Sequence, residues 1–129
     1  MATFHLASGL GTLGEDLGVR YLKDKGYRIR CTNYCNTGGR RLGEIDIVAE
    51  KDRELVFIEV KSRVKVIGSD VVPEAAITRS KLAKLNRIAL HYLREQREEQ
   101  RSYHFDALAI LYDPQLKKAF IRHLEHIFF

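Results

Sequence analysis

Apolar and charged residues alternate in two neighbouring runs, at positions 44–50 and 55–61. Runs of this length that are rich in Ile, Val and Phe and separated by a short polar segment predict the two strands of a β-hairpin. Two acidic residues, Asp46 and Glu59, interrupt the apolar pattern inside these predicted strands. Because carboxylates are rarely placed inside strands that form a core, Asp46 and Glu59 are the first candidate functional residues.

The length of the turn between the two strands decides whether these carboxylates meet. If the loop has an even number of residues, Asp46 lies directly opposite Glu59, with their Cβ atoms about 4.5–5.5 Å apart. Lys61 then projects from the same face, because strand side chains alternate with period two. A loop with an odd number of residues instead places Asp46 and Glu59 on opposite faces. In the first case the two negative charges repel each other, and a bound divalent cation such as Mg²⁺ removes that repulsion.

The rest of the chain shows the patterns of two amphipathic helices and three more strands. Apolar residues spaced four apart predict a first helix over 12–25, ended by Gly26. A second helical pattern starts near residue 78, and its apolar stripe consists of Leu82, Leu85, Ile88, Ala89, Tyr92 and Leu93. The three further strands are predicted at 27–33, 103–111 and 119–124.

This order of elements predicts a single domain over residues 1–129, with residues 1–10 as a flexible arm. The elements follow one another as α-β-β-β-α-β-β. Because sheets and one-sided helices bury their apolar surfaces against each other, we expect an α/β fold with a mixed central sheet of about five strands flanked by helices. No repeat, low-complexity tract or linker divides the chain.

The composition narrows the function classes. The 129 residues include 22 Lys and Arg against 17 Asp and Glu, and the net charge of +5 mildly favours an anionic partner. No apolar run approaches the ~20 residues of a membrane span, and the start lacks a secretory pattern, so we expect a cytoplasmic protein without membrane contact. The only cysteines, Cys31 and Cys35, are interpreted as free thiols because a zinc site needs more ligands.

Three further features each allow a functional and a structural interpretation. Glu15 lies three residues after Thr12 and fits a capping box at the start of the first helix, so spacing alone favours the cap over a site role. Arg40 and Arg41 follow two glycines, and they either grip phosphates from an exposed loop or belong to a solvated turn. Asp106 lies in an apolar strand, where a satisfied structural aspartate is the favoured interpretation.

The central hairpin has the groups that phosphodiester hydrolysis needs. Asp46 and Glu59 are candidate ligands of Mg²⁺ or Mn²⁺, since these ions prefer carboxylate oxygens. A bound ion of this kind activates water and neutralises charge on phosphoryl oxygens. The ammonium group of Lys61 is suited to orient the attacking water or to stabilise the transition state. If desolvation near the metal lowers the pKa of Lys61, this side chain can also act as a base.

Asp46, Glu59 and Lys61 form the pattern Asp-(x)₁₂-Glu-x-Lys, which resembles the PD-(D/E)xK nuclease superfamily. Ile45 stands where that superfamily usually has proline. A closer resemblance, over about residues 11–129, is to the bacterial YraN family, whose members are uncharacterised or called endonuclease-like and are similar to archaeal Holliday junction resolvases. The segments that carry it are Gly14-Glu15, Gly43-Glu44-Ile45-Asp46, Phe57-Ile58-Glu59-Val60-Lys61-Ser62-Arg63, Lys81 and Phe105-Asp106.

The resemblance implies a restriction-endonuclease-like core and a role for each candidate. In the resolvases a helix glutamate, an aspartate, a glutamate and a lysine surround Mg²⁺, with the carboxylates as its ligands. By position these residues fall on Glu15, Asp46, Glu59 and Lys61. The resemblance therefore reverses the preference for a backbone cap at Glu15. It also makes Arg63 and Lys81 candidate phosphate contacts, and it implies a homodimer because the resolvases act as dimers.

Three functions stay open at the level of the sequence. The first is a Mg²⁺-dependent endonuclease that hydrolyses DNA, including branched DNA such as a Holliday junction. The second is a nucleic-acid-binding module with a nuclease-like fold and no hydrolysis, against which the complete set of four site residues argues. The third is an interaction protein in which Lys61 pairs with one hairpin carboxylate, although the other carboxylate would then be buried unpaired. Cleavage assays separate the first two, and a metal effect on the melting temperature argues against the third.

Overall fold

The computed structural model describes residues 2–5, 13–65 and 79–127. No helix within these ranges is long and apolar enough to cross a membrane. The secondary-structure elements of the described residues are β1 Ala2–His5, α1 Leu13–Asp24, β2 Arg28–Cys35, β3 Glu44–Lys51, β4 Glu54–Val64, α2 Arg79–Glu95, β5 Tyr103–Asp113 and β6 Lys118–Leu124.

The strands form one sheet in the order β1-β6-β5-β4-β3-β2. Strands β4 and β5 run parallel, whereas the other neighbouring pairs are antiparallel. Two parallel strands need a crossover connection, and α2 lies in the chain between β4 and β5. The predicted α/β fold, its mixed sheet and the element order α-β-β-β-α-β-β are confirmed.

The hairpin of β3 and β4 has the even-length turn that the site prediction requires. The two turn residues, 52–53, have φ values of 52° and 67°, which are typical of a two-residue type I′ turn. From this turn the strands pair regularly as far as Ile47, which lies opposite Ile58. Asp46 and Glu59 would come next in this register, but the ladder of paired residues ends at Ile47 and Ile58.

One helix covers each face of the sheet. On one face, Leu22 of α1 packs in a buried cluster with Ile47 and Ile58. On the other face, the α2 helix packs in a second buried cluster that includes Ile45 and Phe57. The apolar stripe predicted for α2 is confirmed, because its buried residues are Leu82, Leu85, Ile88, Ala89, Tyr92 and Leu93.

Helix α1 ends where the sequence predicts. Gly26 has a φ of 91°, and its amide donates to the carbonyl of Lys23 at 3.0 Å. The amide of Tyr27 donates to the carbonyl of Leu22 at 2.9 Å. A left-handed glycine with these two bonds is a common way to satisfy the last carbonyls of a helix. The predicted N-cap, Thr12, lies outside the described residues.

The flexible arm predicted for residues 1–10 is wrong for Ala2–His5. These residues form β1, which pairs antiparallel with β6 at the edge of the sheet and adds a sixth strand to the five that the pattern predicted. Four residues are too few to show a strand period in the sequence, so this pairing depends on the edge that β6 offers. Residues 6–10 of the predicted arm lie outside the described residues.

Candidate metal centre

The first turn of α1 lies against the C-terminal part of β4. A Cβ atom added to Gly14 would overlap Oγ of Ser62, so the absence of a side chain at Gly14 leaves room for this hydroxyl group between the helix and the strand. One turn further along α1, a Cβ atom at Gly18 would lie 3.3 Å from Cδ1 of Ile47 in β3. Because these contacts hold α1 close to both strands, the next residue after Gly14, Glu15, reaches the start of β3.

Three carboxylates converge at this place. Glu15, Glu44 and Asp46 each offer an oxygen atom, and these oxygen atoms all lie within 4.8 Å of one another. Nδ2 of Asn33 donates to Glu15 at 2.8 Å, and Nη2 of Arg41 donates to Glu44 at 3.0 Å. A set of hard oxygen donors at this spacing has the chemistry that Mg²⁺ and Mn²⁺ prefer.

Glu44 was missed as a site residue, although it lies in the segment that carries the family resemblance. It precedes Asp46 by two positions, and side chains two apart on a strand share a face. The two-residue spacing of Glu44 and Asp46 was the sequence signal that could have identified Glu44 as a site residue. What the pattern does not show is that Glu15 approaches the same face from another element.

Strand β3 does not keep a strict alternation around Asp46. Ile45 packs in the cluster on the α2 face, whereas Ile47 packs in the cluster on the α1 face. Side chains two apart would share one face in a regular strand. The carboxylate of Asp46 lies at this change of side, and its Oδ2 accepts the backbone amide of Val60 in β4 at 2.7 Å. Asp46 is therefore anchored to β4 through its side chain.

Glu59 and Lys61 lie beside the three carboxylates but pair with each other. Nζ of Lys61 lies 3.3 Å from Oε1 of Glu59, and the two side chains are only 15% and 16% exposed. Glu59 does not join the mutually close set of Glu15, Glu44 and Asp46. It is near enough for its charge to raise the pKa of Asp46. Of the three predicted metal ligands, the structure thus brings two together and places the third next to them.

The electrostatics of Asp46 reflect this crowding of negative charge. Burial raises its pKa from 3.8 to about 6, and the charges of Glu59, Glu15 and Glu44 act in the same direction. The hydrogen bond from the Val60 amide opposes them. A raised pKa on a carboxyl group shows that its charged form lacks sufficient compensation from the surrounding protein. A divalent cation is the compensation that these residues can bind.

The lowered pKa that is expected for Lys61 next to a bound metal stays a prediction, and the protein's own groups act in the opposite direction. A hydrogen bond with the amine of Lys81 raises the pKa of Lys61, and the charges of Glu59 and Asp46 also raise it, against the effect of burial. The pKa of Lys81 is lowered instead, first by the hydrogen bond with Lys61 and then by burial. The protein's own groups therefore favour the ammonium form of Lys61, which suits it to stabilise negative charge.

A basic pocket borders the acidic cluster. The cavity has a volume of about 490 Å³ and is lined by Arg40, Arg41, Leu42, Gly43, Lys84 and Arg87. Arg40 and Arg41 lie on the exposed loop between β2 and β3, as the sequence predicts. Lys84 and Arg87, one turn apart on α2, were not predicted to join them. Arg63, the other candidate arginine, is exposed on β4.

The chain matches the family model described as "Uncharacterised protein family UPF0102" over residues 14–110. A UPF0102 protein of Alkaliphilus oremlandii is 39% identical over 123 residues, which are 92% of this chain and 97% of that protein. One from Pelotomaculum thermopropionicum is 35% identical over 120 residues, with 92% and 94% covered. These matches confirm the family resemblance drawn from the sequence.

Among solved structures, the chain is similar to an fdxN element excision controlling factor protein from Anabaena variabilis. The TM-score is 0.40 at 15% sequence identity, with 88% of this chain and 99% of the other covered. A likeness at this level carries no argument about activity or substrate.

Proposed function

The chain belongs to the UPF0102 family, and we propose that it is a Mg²⁺-dependent endonuclease that hydrolyses phosphodiester bonds in DNA. The observation that carries the proposal is the convergence of Glu15, Glu44 and Asp46 within 4.8 Å, next to the Glu59–Lys61 pair. Placement in the PD-(D/E)xK superfamily, with a restriction-endonuclease-like core, is part of this proposal. The cytoplasmic location expected from the sequence stays a prediction.

The carboxylates fit a hard divalent ion, either Mg²⁺ or Mn²⁺. Glu15 and Asp46 would hold it as the sequence predicts, with Glu44 as an additional donor and Glu59 beside them. When bound, such an ion supplies an activated water and neutralises charge on the phosphoryl oxygens. Asp46 is well placed for a ligand because the Val60 amide holds its second oxygen atom in position.

Lys61 supplies a fixed positive charge at the site. Its ammonium group is oriented by Glu59 at 3.3 Å and keeps its proton because its pKa is raised by Lys81, Glu59 and Asp46. A cation that is already in place when negative charge develops on a phosphate stabilises the transition state without reorganisation. Glu59 is then a positioning residue for Lys61 as well as a candidate ligand.

The basic pocket gives the DNA backbone a place to bind next to the carboxylates. Arg40, Arg41, Lys84 and Arg87 surround it, and contacts of Arg and Lys to phosphates position a protein on DNA without reading its sequence. Arg63 and Lys81 are proposed as further phosphate contacts. Branched DNA as the substrate and a homodimer as the active form rest on the resemblance to resolvases.

Cleavage assays with purified protein test the proposal. Plasmid DNA and a synthetic four-way junction are incubated with MgCl₂ or MnCl₂, using wild type, Asp46→Asn, Glu15→Gln and the exposed control Asp24→Asn. We expect Asp46→Asn and Glu15→Gln to lose at least about a hundredfold in cleavage rate, since each removes a charged group that stabilises the reaction. Asp24→Asn should cleave like wild type. Absence of cleavage of every substrate, or equal rates in all variants, would falsify the proposal.

One observation favours the alternative of a silent nucleic-acid-binding module. Glu59 pairs with Lys61 and does not join the mutually close carboxylates. Binding of the four-way junction measured in EDTA, followed by addition of MnCl₂, separates the two functions. Tight binding without turnover after the metal is added supports the module. In both cases affinity should fall steeply with salt, because phosphate contacts release counterions.

A further inference from the structure

A second cavity lies at the opposite end of α1 from the acidic cluster. It has a volume of about 620 Å³, and its lining includes Tyr21, Lys25, Tyr27 and Lys51. Tyr21 lies six residues beyond Glu15, which corresponds to about 9 Å along a helix axis. The cavity is therefore a separate place on the same face of the sheet, and the function proposed above makes no use of it.

The cavity carries an excess of positive charge. Lys25, Lys51 and Arg122 line it together with one carboxylate, that of Glu125. Nζ of Lys51 lies 4.8 Å from the ring centroid of Tyr27. Nζ of Lys25 lies 5.9 Å from that of Tyr21. Within 2–5, 13–65 and 79–127, neither ammonium group forms an ion pair with a carboxylate. Such cations above aromatic rings, without a counterion, favour an anionic ligand.

The wall of the cavity holds a histidine in a defined tautomer. Nε2 of His123 lies 2.7 Å from Oδ2 of Asp106, which is 0% exposed. A carboxylate only accepts, so Nε2 carries a hydrogen atom, and Nδ1 of the neutral ring accepts the hydroxyl of Tyr21 at 3.1 Å.

Both tyrosines keep their hydroxyl hydrogen at neutral pH, and that of Tyr21 is directed to His123. Burial raises the pKa of Tyr27 to about 12, and the nearby charges of Asp106 and Glu125 add to the effect. Burial also raises the pKa of Tyr21. The neutral hydroxyl group of Tyr27 can donate a hydrogen bond to an oxygen atom of an anion, whereas an ionised hydroxyl group would repel it.

A metal ion fits this place less well than an anion does. Asp106, His123 and Glu125 do offer ligand atoms within 4.8 Å of one another. However, Asp106 already accepts from His123 and from the backbone amide of His126 at 3.0 Å, and Nε2 of His104 lies 3.3 Å from its Oδ1. A cation at Asp106 would have to displace these partners, so this aspartate orients His123 and does not offer an open coordination site.

We propose that this cavity binds a phosphate group, carried either by a small phosphate monoester or by a nucleic-acid backbone. The ammonium groups of Lys25 and Lys51 and the hydroxyl group of Tyr27 line the cavity and provide donors of the kind that bind phosphate. The volume falls within the range of small-molecule sites, which leaves room for the group that carries the phosphate. The proposal is independent of the nuclease function, because the two sites share no side chain.

An NMR titration tests the proposal on the full chain. Sodium phosphate is added to ¹⁵N-labelled protein in EDTA, and sodium chloride keeps the ionic strength constant. We expect saturable amide shifts confined to residues 21–27, 51 and 121–125. Lys51→Met keeps the methylene contact with Tyr27 but removes the charge, and it should weaken binding by at least about fivefold. Lys23→Met, an exposed change in the same helix, should bind phosphate like wild type.

Two further titrations identify the source of the phosphate. Phenyl phosphate that shifts the same amides and saturates at lower concentration, while a short DNA duplex leaves them unchanged, points to a phosphorylated small molecule. A duplex that shifts these amides points to a nucleic-acid backbone. The proposal is overturned if the shifts with phosphate do not saturate, if they spread over the whole surface, or if Lys23→Met weakens binding as much as Lys51→Met.

Discussion

Asp46 and Asp106 both interrupt apolar strands, yet their surroundings are opposite. Asp106 is fully buried, and it is surrounded by the rings of His104 and His123 and by a backbone amide. Asp46 is less buried, accepts one backbone amide, and has carboxylates as its charged neighbours within the mutually close set. Burial alone therefore does not mark a functional carboxylate, whereas uncompensated negative charge does.

The different surroundings of the two aspartates determine how well the fold compensates each carboxyl group. His104, His123 and the backbone amide of His126 satisfy the carboxyl group of Asp106 within the fold. The neighbours of Asp46 disfavour its charged form, as its raised pKa of about 6 shows. A group kept in an unfavourable state by the fold is a candidate for a ligand-binding role. The following predictions test this contrast, from the largest expected effect to the smallest.

The largest change in the free energy of unfolding is expected for the substitution Asp106→Asn. Asp106→Asn places an amide donor against an imidazole N–H and removes the partner of two histidines, so we expect the free energy of unfolding to fall by about 2–4 kcal/mol. Urea denaturation at pH 7.5 measures it. The exposed control Asp24→Asn should change the free energy by less than about 0.5 kcal/mol. A loss at Asp106 no larger than in the control would remove the distinction between the two aspartates.

For Asp46, removal of the charge is expected to raise the free energy of unfolding in metal-free buffer. Because its folded pKa is raised from 3.8 to about 6, its stabilising contribution is complete below about pH 3.8 and is lost as the pH rises through about 6. Asn keeps an acceptor for the Val60 amide and carries no charge. Asp46→Asn should therefore unfold like wild type at pH 4 and be more stable by about 1–2 kcal/mol at pH 8.

Urea denaturation in EDTA at the two pH values measures this difference, with Asp24→Asn as the control that should show none. An Asp46→Asn protein that is less stable than wild type at pH 8 would contradict the account of Asp46. A difference that is the same at both pH values would show that the substitution acts through packing and not through charge.

The smallest change in stability is expected when a divalent metal salt is added. MgCl₂ at ten times its dissociation constant should stabilise the wild type by about 1.4 kcal/mol, or about 4 °C in melting temperature for a domain of this size. Asp46→Asn and Glu15→Gln should show no such rise, and sodium chloride at equal ionic strength is the control for screening. Glu59→Gln decides between two roles: a retained shift assigns Glu59 to Lys61 alone, and a lost shift makes it a ligand.

Much of the fold follows from local signals. The stripe of α2, the stop at Gly26 and the central hairpin were predicted because period and turn chemistry depend on neighbours in the chain. The register of the hairpin was left open between an even and an odd loop, and the two-residue turn at 52–53 decides it. Strand β1 was missed because Ala2–His5 is too short to show a period and forms on the edge of β6.

The candidate site was predicted less completely. Asp46, Glu59 and Lys61 were found because charges inside apolar strands stand out, and Glu15 came from the family resemblance. The place of Glu44 in the site and the hydrogen bond between Lys61 and Lys81 were not predicted. Each of these features depends on contacts between side chains of different helices and strands. The order of residues along the chain does not indicate such contacts.

The sequence by itself therefore determined the two helices, five of the strands and the presence of an acidic pair within the central hairpin, and it left two registers open for that hairpin. Only the tertiary structure decided which charges meet. The close approach of α1 at Gly14, the change of side between Ile45 and Ile47, and the pairing of Glu59 with Lys61 place the carboxylates within ångströms of one another. Electrostatic interactions depend on these distances through space, whereas the sequence records only distances along the chain.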